Sequence, residues 1–280
     1  MSRLLACFLV TWAIPGPAQP AAGAGTSLTP AQGQALVERA LANELRAAQD
    51  ASHPMRYQLR KTTPRLTTTK EIMETKDGEV ARLVAMSDKP LSPADEQTEQ
   101  ARLDGLLAEP GKQHHRMLAE NADAGRALKI LRALPSAFVY QYVGPGQGPT
   151  GNVEKFNFRP NPAFDPPNLE AEVLPAVTGE IWIDPVAQRV TRLEGHVQQD
   201  VDFGWGVLGR LSKGGWIRIE QADVGQGQWR TVRFQMVVNA RFVWKSKVFD
   251  TTEEESHFAP LPVGLSYQKA IEMLKAGNGD

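Results

Sequence analysis

The chain has a single cysteine, Cys7, among 280 residues. A disulfide framework is excluded, so stability in an oxidising compartment must come from packing. An excess of one charge is also missing: 31 basic side chains against 32 acidic ones give a net charge of −1. That balance carries no electrostatic footprint for nucleic acid and no polybasic membrane surface. Beyond residue 24, no run is apolar enough for a membrane helix, which takes about 20 residues. The groups that carry chemistry are sparse as well. His114 and His115 are adjacent, so on a helix they point about 100° apart, and neither H-E-x-x-H nor a Cys/His spacing occurs. There is no G-x-S-x-G. Asp200 and Asp202 could divide acid and base roles, but polar alternation on a solvent face accounts for them. Gly204–Gly209 matches G-x-G-x-x-G, a fingerprint that requires a helix after it. Arg210 to Gly215 is no helix, so these glycines are better read as relieving crowding at a bend or bulge. No catalytic residue, metal site or cofactor is expected, and the chain does not read as an enzyme.

What is present begins with an export signal. Arg3, the apolar run Leu4–Ile14 and the small residues Ala22-Gly23-Ala24 are its three parts, and the apolar run is too short to span a bilayer. The expected location is therefore the periplasm. Leu4-Leu5-Ala6-Cys7 looks like a lipidation box. Only six residues precede Cys7, and the apolar run lies mostly after it, which argues against an anchor there. Residues 1–24 read as the signal peptide and 25–280 as a single domain.

Thr29 caps a helix with Pro30 at its first position, and Leu36, Val37, Ala40, Leu41 and Leu45 recur at helical spacing as far as Asp50. Met55, Tyr57 and Leu59 alternate with Arg56, Gln58 and Arg60 as in a half-buried strand. A second strand covers Leu66–Thr75, Asp77-Gly78 is a hairpin turn, and Glu79–Ser87 returns. Residues 92–134 read as a helical insertion, opened by Ser92-Pro93, broken at Pro110-Gly111 and stopped at Pro135. From Ala137 to Phe258 strands follow one another: from Phe138 to Tyr142, from Val153 to Phe158, Gly179–Asp184, Arg189–Val201, Trp216–Gln221, Trp229–Asn239, Arg241–Phe249 and Thr251–Phe258. Ser266–Lys275 reads as a terminal helix. The fold class is mainly β (α+β): about eleven antiparallel strands, with short connections that imply meander pairing. A twisted sheet of that size curls on itself, leaving a concave face that helices must cover or a ligand must fill.

Trp182, Phe203, Trp205, Trp216, Trp229, Phe234, Phe242 and Trp244 crowd the C-terminal half. Core packing is the default for each. A single curved sheet, however, has one well-buried face, and aromatic residues on its concave side would line a lipid-sized groove. These eight are the candidate lipid-binding residues.

The layout resembles the superfamily of periplasmic lipoprotein carriers related to LolA and LolB. The resemblance rests on the signal, the first helix, the meander and the block Gly179-Glu180-Ile181-Trp182-Ile183-Asp184. It continues through Arg192-Leu193-Glu194-Gly195, Phe203-Gly204 to Gly215, and Gly227-Gln228-Trp229. It implies an incomplete barrel of about eleven antiparallel strands with helices closing its open side, and a non-enzymatic carrier of lipid or lipidated peptide. Two functions stay open. One is a carrier that shields acyl chains in the concave groove. The other is an envelope structural or sensing protein that binds a protein partner by its rim or a sheet edge, with no lipid cargo.

Overall fold

The computed structural model describes residues 27–203, 209–242 and 245–277, with the side chains of Phe203, Phe242 and Lys245 left out. The signal segment with Cys7, Trp205, Trp244 and the greater part of the G-x-G-x-x-G match lie outside those residues.

Helix α1 (Pro30–Ala47) starts at a capping box: the Gln32 amide donates to the Thr29 hydroxyl, and the Thr29 amide donates to the Gln32 side chain. Satisfying two otherwise orphaned amides fixes where the helix begins. Four short strands follow, β1 (Met55–Thr62), β2 (Thr67–Met73), β3 (Val80–Met86) and β4 (Lys89–Pro90). Gly78 sits at φ +91° in the turn before β3, a conformation that disfavours any side chain. Next come α2 (Pro93–Ala108) and α3 (Pro110–Ala137). The sheet resumes with β5 (Phe138–Gly148) and β6 (Gly151–Pro160), a 3-10 helix (Leu169–Ala176), then β7 (Val177–Asp184) and β8 (Arg189–Val197). It ends with β9 (Val201–Phe203), β10 (Gly209–Leu211), β11 (Trp216–Asp223), β12 (Trp229–Phe242) and β13 (Lys245–Pro260), before α4 (Tyr267–Lys275).

All ladders are antiparallel, and the sheet is open. Its order is β4-β3-β2-β1-β13-β12-β11-β8-β7-β6-β5, with β9 and β10 off this path, so thirteen described strands include an eleven-strand continuous run. The meander between sequence neighbours is broken where β1 pairs with β13 and where β8 pairs with β11. Its two ends, β4 and β5, are consecutive in the chain and unpaired with each other, and α2 and α3 connect them. At 1.5 Å per residue, α3 with its 28 residues is about 42 Å long.

Two expectations from the sequence are corrected. The sequence divides the stretch from Trp229 to Phe258 into three strands at Ala240 and Asp250. Both residues sit in unbroken ladder, opposite Lys247 and Val237, and the structure has two long strands there. Neither position offers the glycine or proline chemistry that ends a strand. Pro135 does not stop α3, which runs on to Ala137. Proline lacks the amide that would donate to the Leu131 carbonyl, one bond in the last turns of a long helix; the Leu134 carbonyl, left open by the helix end, accepts from the Tyr140 hydroxyl at 3.0 Å.

The edge of β3 is closed by side chains. The Leu83 amide donates to Glu99 (2.8 Å), Arg102 donates to the Ala81 carbonyl, Gln113 donates to the Glu79 carbonyl (3.3 Å), and the Glu79 amide donates to Glu120 (2.9 Å). Helices α2 and α3 thus take the place of a missing strand and remove a template for edge-to-edge association. Packing is concentrated at the two ends of the sheet. One cluster joins α1, the end of α3 and the 3-10 helix to Phe156, Phe158, Ile181, Ile183 and Val190. The other joins α2 and α4 to Met73 and Val80.

Candidate functional site

Residues directly opposite each other in an antiparallel ladder project to the same face. One row therefore runs across the sheet as Tyr142, Phe156, Ile181, Leu193, Ile219, Phe234, Glu253, Lys61 and Thr68. Phe156 and Ile181 pack in the α1 cluster, so this row lies on the helix-covered, concave face. The neighbouring row is Phe158, Gly179, Gly195, Ile217, Met236 and Thr251. Gly179 is required there: a Cβ would lie 2.7 Å from the Phe158 ring and 1.9 Å from the Glu194 carbonyl oxygen.

At the β5–β8 end this face is filled. Ile181 and Ile183 have no exposed surface, and Phe156 is 1% exposed. Toward the middle the packing thins. Ile217, Ile219, Phe234, Met236 and Val238 are only half-buried and, among the described residues, belong to none of the core clusters. Helix α3 buries Gln113 near its start and Ala133, Leu134 and Ala137 near its end, and no residue between Gln113 and Ala133. Among the described residues, this apolar strip of sheet has no closely packed cover.

Beyond Phe234 the concave face becomes polar. Glu253 pairs with Lys61 at 2.6 Å. The next row is Glu255, Leu59, Lys70 and Leu83. Burial, with Glu79, Glu253 and Glu74 adding repulsion, pushes the Glu255 carboxyl up to about 8. Burial likewise raises the Glu79 carboxyl, which accepts from the Tyr57 hydroxyl at 3.2 Å. Burial lowers the pKa of Lys70, and Arg102, Arg116 and Lys61 lower it further.

The opposite face carries a charged row: Lys155, Trp182, Arg192, Glu220, Arg233, Glu254, Arg60 and Thr69. Trp182 lies between two cations, with Lys155 Nζ 3.9 Å and Arg192 Cζ 4.4 Å from its ring centroid. Trp216 shares a row with Thr178, His196, Val237 and Asp250 on that same outer face.

The candidate aromatic residues therefore do not converge. Phe234 lies on the concave face beside Ile219. Trp229, opposite Asp223, is at the α1 end of that face, with Arg189 Cζ 5.6 Å from its ring. Trp182 and Trp216 point the other way. Phe203 and Phe242 end β9 and β12, and Trp205 and Trp244 are outside the described residues. Asp200 and Asp202 both engage Arg210, at 3.5 and 2.6 Å. The concave face also carries Ile217, Ile219, Met236 and Val238, which are not among the aromatic candidates. Strand alternation carried the signal, since Trp182 sits between Ile181 and Ile183 and must face away from both.

No family model matches the chain, and no curated protein matches it. A crystal structure from Vibrio parahaemolyticus that carries the name outer membrane lipoprotein-sorting protein domain covers 84% of this chain and 98% of that one. Its TM-score is 0.34 and its identity 10%; at that distance the likeness carries no argument.

Proposed function

We propose that the chain is an exported carrier that shields an acyl chain, of a lipid or a lipidated peptide, against the concave face of its open sheet. The observation that carries this reading is the half-buried strip Ile217, Ile219, Phe234, Met236 and Val238, which joins none of the core clusters among the described residues. Contiguous apolar surface that its own fold leaves uncovered marks a place for an apolar partner. Each methylene transferred from water contributes about 0.8 kcal/mol, so one chain suffices for reversible carriage. The sheet would serve as the wall and α3 as the strap, with a periplasmic location supplied by the signal at residues 1–24.

The test is lipid mass spectrometry on protein purified without detergent from the periplasm of a host expressing the whole chain. Stoichiometric lipid is expected, lost in Ile219→Asp and retained in Trp182→Asp, whose side chain lies on the outer face. A folded protein that carries no lipid and takes up no apolar dye would sink the reading. The competing function, partner binding with no lipid cargo, draws its support from β5, an edge strand with Val139 and Val143 exposed.

A further inference from the structure

Under α2 and α3, at the β2–β3 end of the concave face, lies a cavity of about 390 Å3 lined by Lys70, Ala81, Leu83, Glu99, Arg102 and Arg116. We infer that this cavity is a binding site for a phosphate group, with Lys70 and Arg116 as its principal donors.

The charges converge from separate elements: Lys70 from β2, Arg102 from α2 and Arg116 from α3. Glu99 is the one acid in the lining, and its carboxylate is already committed. It accepts from the Leu83 amide at 2.8 Å and from Arg102 at 2.7 and 2.6 Å. Arg102 in turn also donates to the Ala81 carbonyl. Among the described residues, neither Lys70 nor Arg116 forms an ion pair. Lys61, the other nearby cation, is held by Glu253. Within the lining, three cations face one spoken-for carboxylate; Glu79, whose carboxyl feels Arg116, lies outside the lining, and burial raises its pKa. Clustering like charges in a half-buried site is unfavourable unless an anion joins them. Burial first, and then the neighbouring Arg102, Arg116 and Lys61, lower the pKa of Lys70. Glu255, across Leu59 in the same row, does not supply that anion, because burial holds its carboxyl largely protonated near neutral pH.

A phosphate suits this lining. Its oxygens accept from an ammonium and a guanidinium at once, and such charge-assisted bonds are the stronger kind. The group could belong to a lipid headgroup or be free. Lys70 is three strands from Phe234 across β1 and β13, about 15 Å at 4.8 Å per strand. A headgroup phosphate in the cavity would therefore leave its acyl chain directed toward the apolar strip. The headgroup version rests on the carrier reading; the site itself does not.

The experiment uses protein expressed from the whole chain, with Lys70→Met and Arg116→Gln as variants and near-ultraviolet circular dichroism as the check on folding. Three probes are titrated by calorimetry: inorganic phosphate, a short-chain anionic phospholipid, and a zwitterionic phospholipid of the same chain length. Phosphate binding that weakens at least tenfold in both variants supports the site. A preference for the anionic over the zwitterionic lipid that vanishes in both variants, with zwitterionic binding unchanged, identifies the headgroup as the source. Phosphate binding with no lipid binding at all keeps the site and removes the carrier reading. Lipid binding that ignores headgroup charge, together with no phosphate binding, overturns the site and leaves the carrier reading standing.

Discussion

The two ends of the sheet solve one problem in the same way and a second problem in opposite ways. At the β8 end, Glu44 of α1 is 8% exposed and accepts from the Val190 amide and from both Nε and Nη2 of Arg189 at 2.8–2.9 Å. At the β3 end, Glu99 of α2 is 5% exposed and accepts from the Leu83 amide and from Arg102. In each case one helical carboxylate accepts from a strand amide and draws in an arginine, docking the helix by a charge-assisted bond, although β8 is paired on both sides and β3, among the described residues, is not paired beyond β2 at Leu83. The concave surfaces beside them differ. Next to Glu44 the face is packed with Phe156, Ile181 and Ile183; next to Glu99 it carries Lys70 and Arg116 around a cavity. One end is built for rigidity and the other keeps charge available, with the half-open strip between them. The lesson is that a docking device can recur while the space beneath it is free to diverge.

The sharpest test of that contrast is truncation of side chains along one row. Phe156→Ala removes a ring that is 1% exposed and packed in the α1 cluster, so it should cost about 3–5 kcal/mol. Phe234→Ala, in the same row but half-buried, should cost less than half as much. Urea denaturation of both variants measures the pair. Equal losses would mean that the strip is core like the rest, and the packed-versus-open distinction would fail.

Next in size are the docking carboxylates. Glu99→Ala leaves the Leu83 amide without its acceptor and Arg102 without its carboxylate, a loss of about 2–4 kcal/mol. Glu44→Ala should fall in the same range, since the bonds lost are of the same kind. Hydrogen exchange would sharpen the comparison: the Leu83 amide should lose protection in the first variant and the Val190 amide in the second. A Glu99→Ala protein as stable as the parent would show that α2 is held by its apolar contacts alone.

Much of this architecture is legible in the sequence, and the limits are physical. The capping residue Thr29, the alternation in Met55–Arg60 and the turn at Asp77-Gly78 are local signals, and each matches an observed element. The mainly antiparallel sheet follows from those signals and the short connections; that it is open, with helices at its open side, is what the resemblance to lipoprotein carriers implied. The β1–β13 pairing joins residues nearly 200 positions apart, such as Arg60 and Glu254, and no local pattern announces it. The cavity is illegible for the same reason, because Lys70, Arg102 and Arg116 meet only after α2 and α3 fold over β3. Trp182 is the opposite case. Its outward direction was readable from Ile181 and Ile183, and the count of aromatic residues obscured it.

A third prediction uses pH to separate the two ends. In the unfolded chain Glu255 ionises near the ordinary glutamate value of about 4.3; in the fold it does so at about 8. Between those values the folded state keeps a proton that the unfolded chain has lost, so folding is favoured at the acid side of this window. That contribution is lost as pH rises and is gone above 8. Raising the pH from 6 to 9 should therefore lower stability by roughly 1–3 kcal/mol, and Glu255→Gln should flatten that slope. Thermal unfolding across this range decides it. An unchanged slope in the variant would place the titrating group elsewhere.

The smallest effect belongs to the outer face. Arg60 bonds Glu254 at 2.8 Å and Asp88 at 2.8 Å, and the Arg60 and Glu254 side chains are 40% and 37% exposed. Exposed pairs gain little because water screens them and two long side chains must be held in place. A double-mutant cycle with Arg60→Gln and Glu254→Gln should give a coupling under about 1 kcal/mol, falling further in 1 M salt, where the screening length is about 3 Å. Trp182 belongs to the same row and is partly buried beside Lys155 and Arg192, the latter 18% exposed and paired with Glu220 at 2.8 Å; Trp182→Ala should be milder than Phe156→Ala. A coupling that stays large in high salt would mean that this pair is held in place and shielded from solvent, and the contrast between a weakly coupled outer row and a packed concave core would fail.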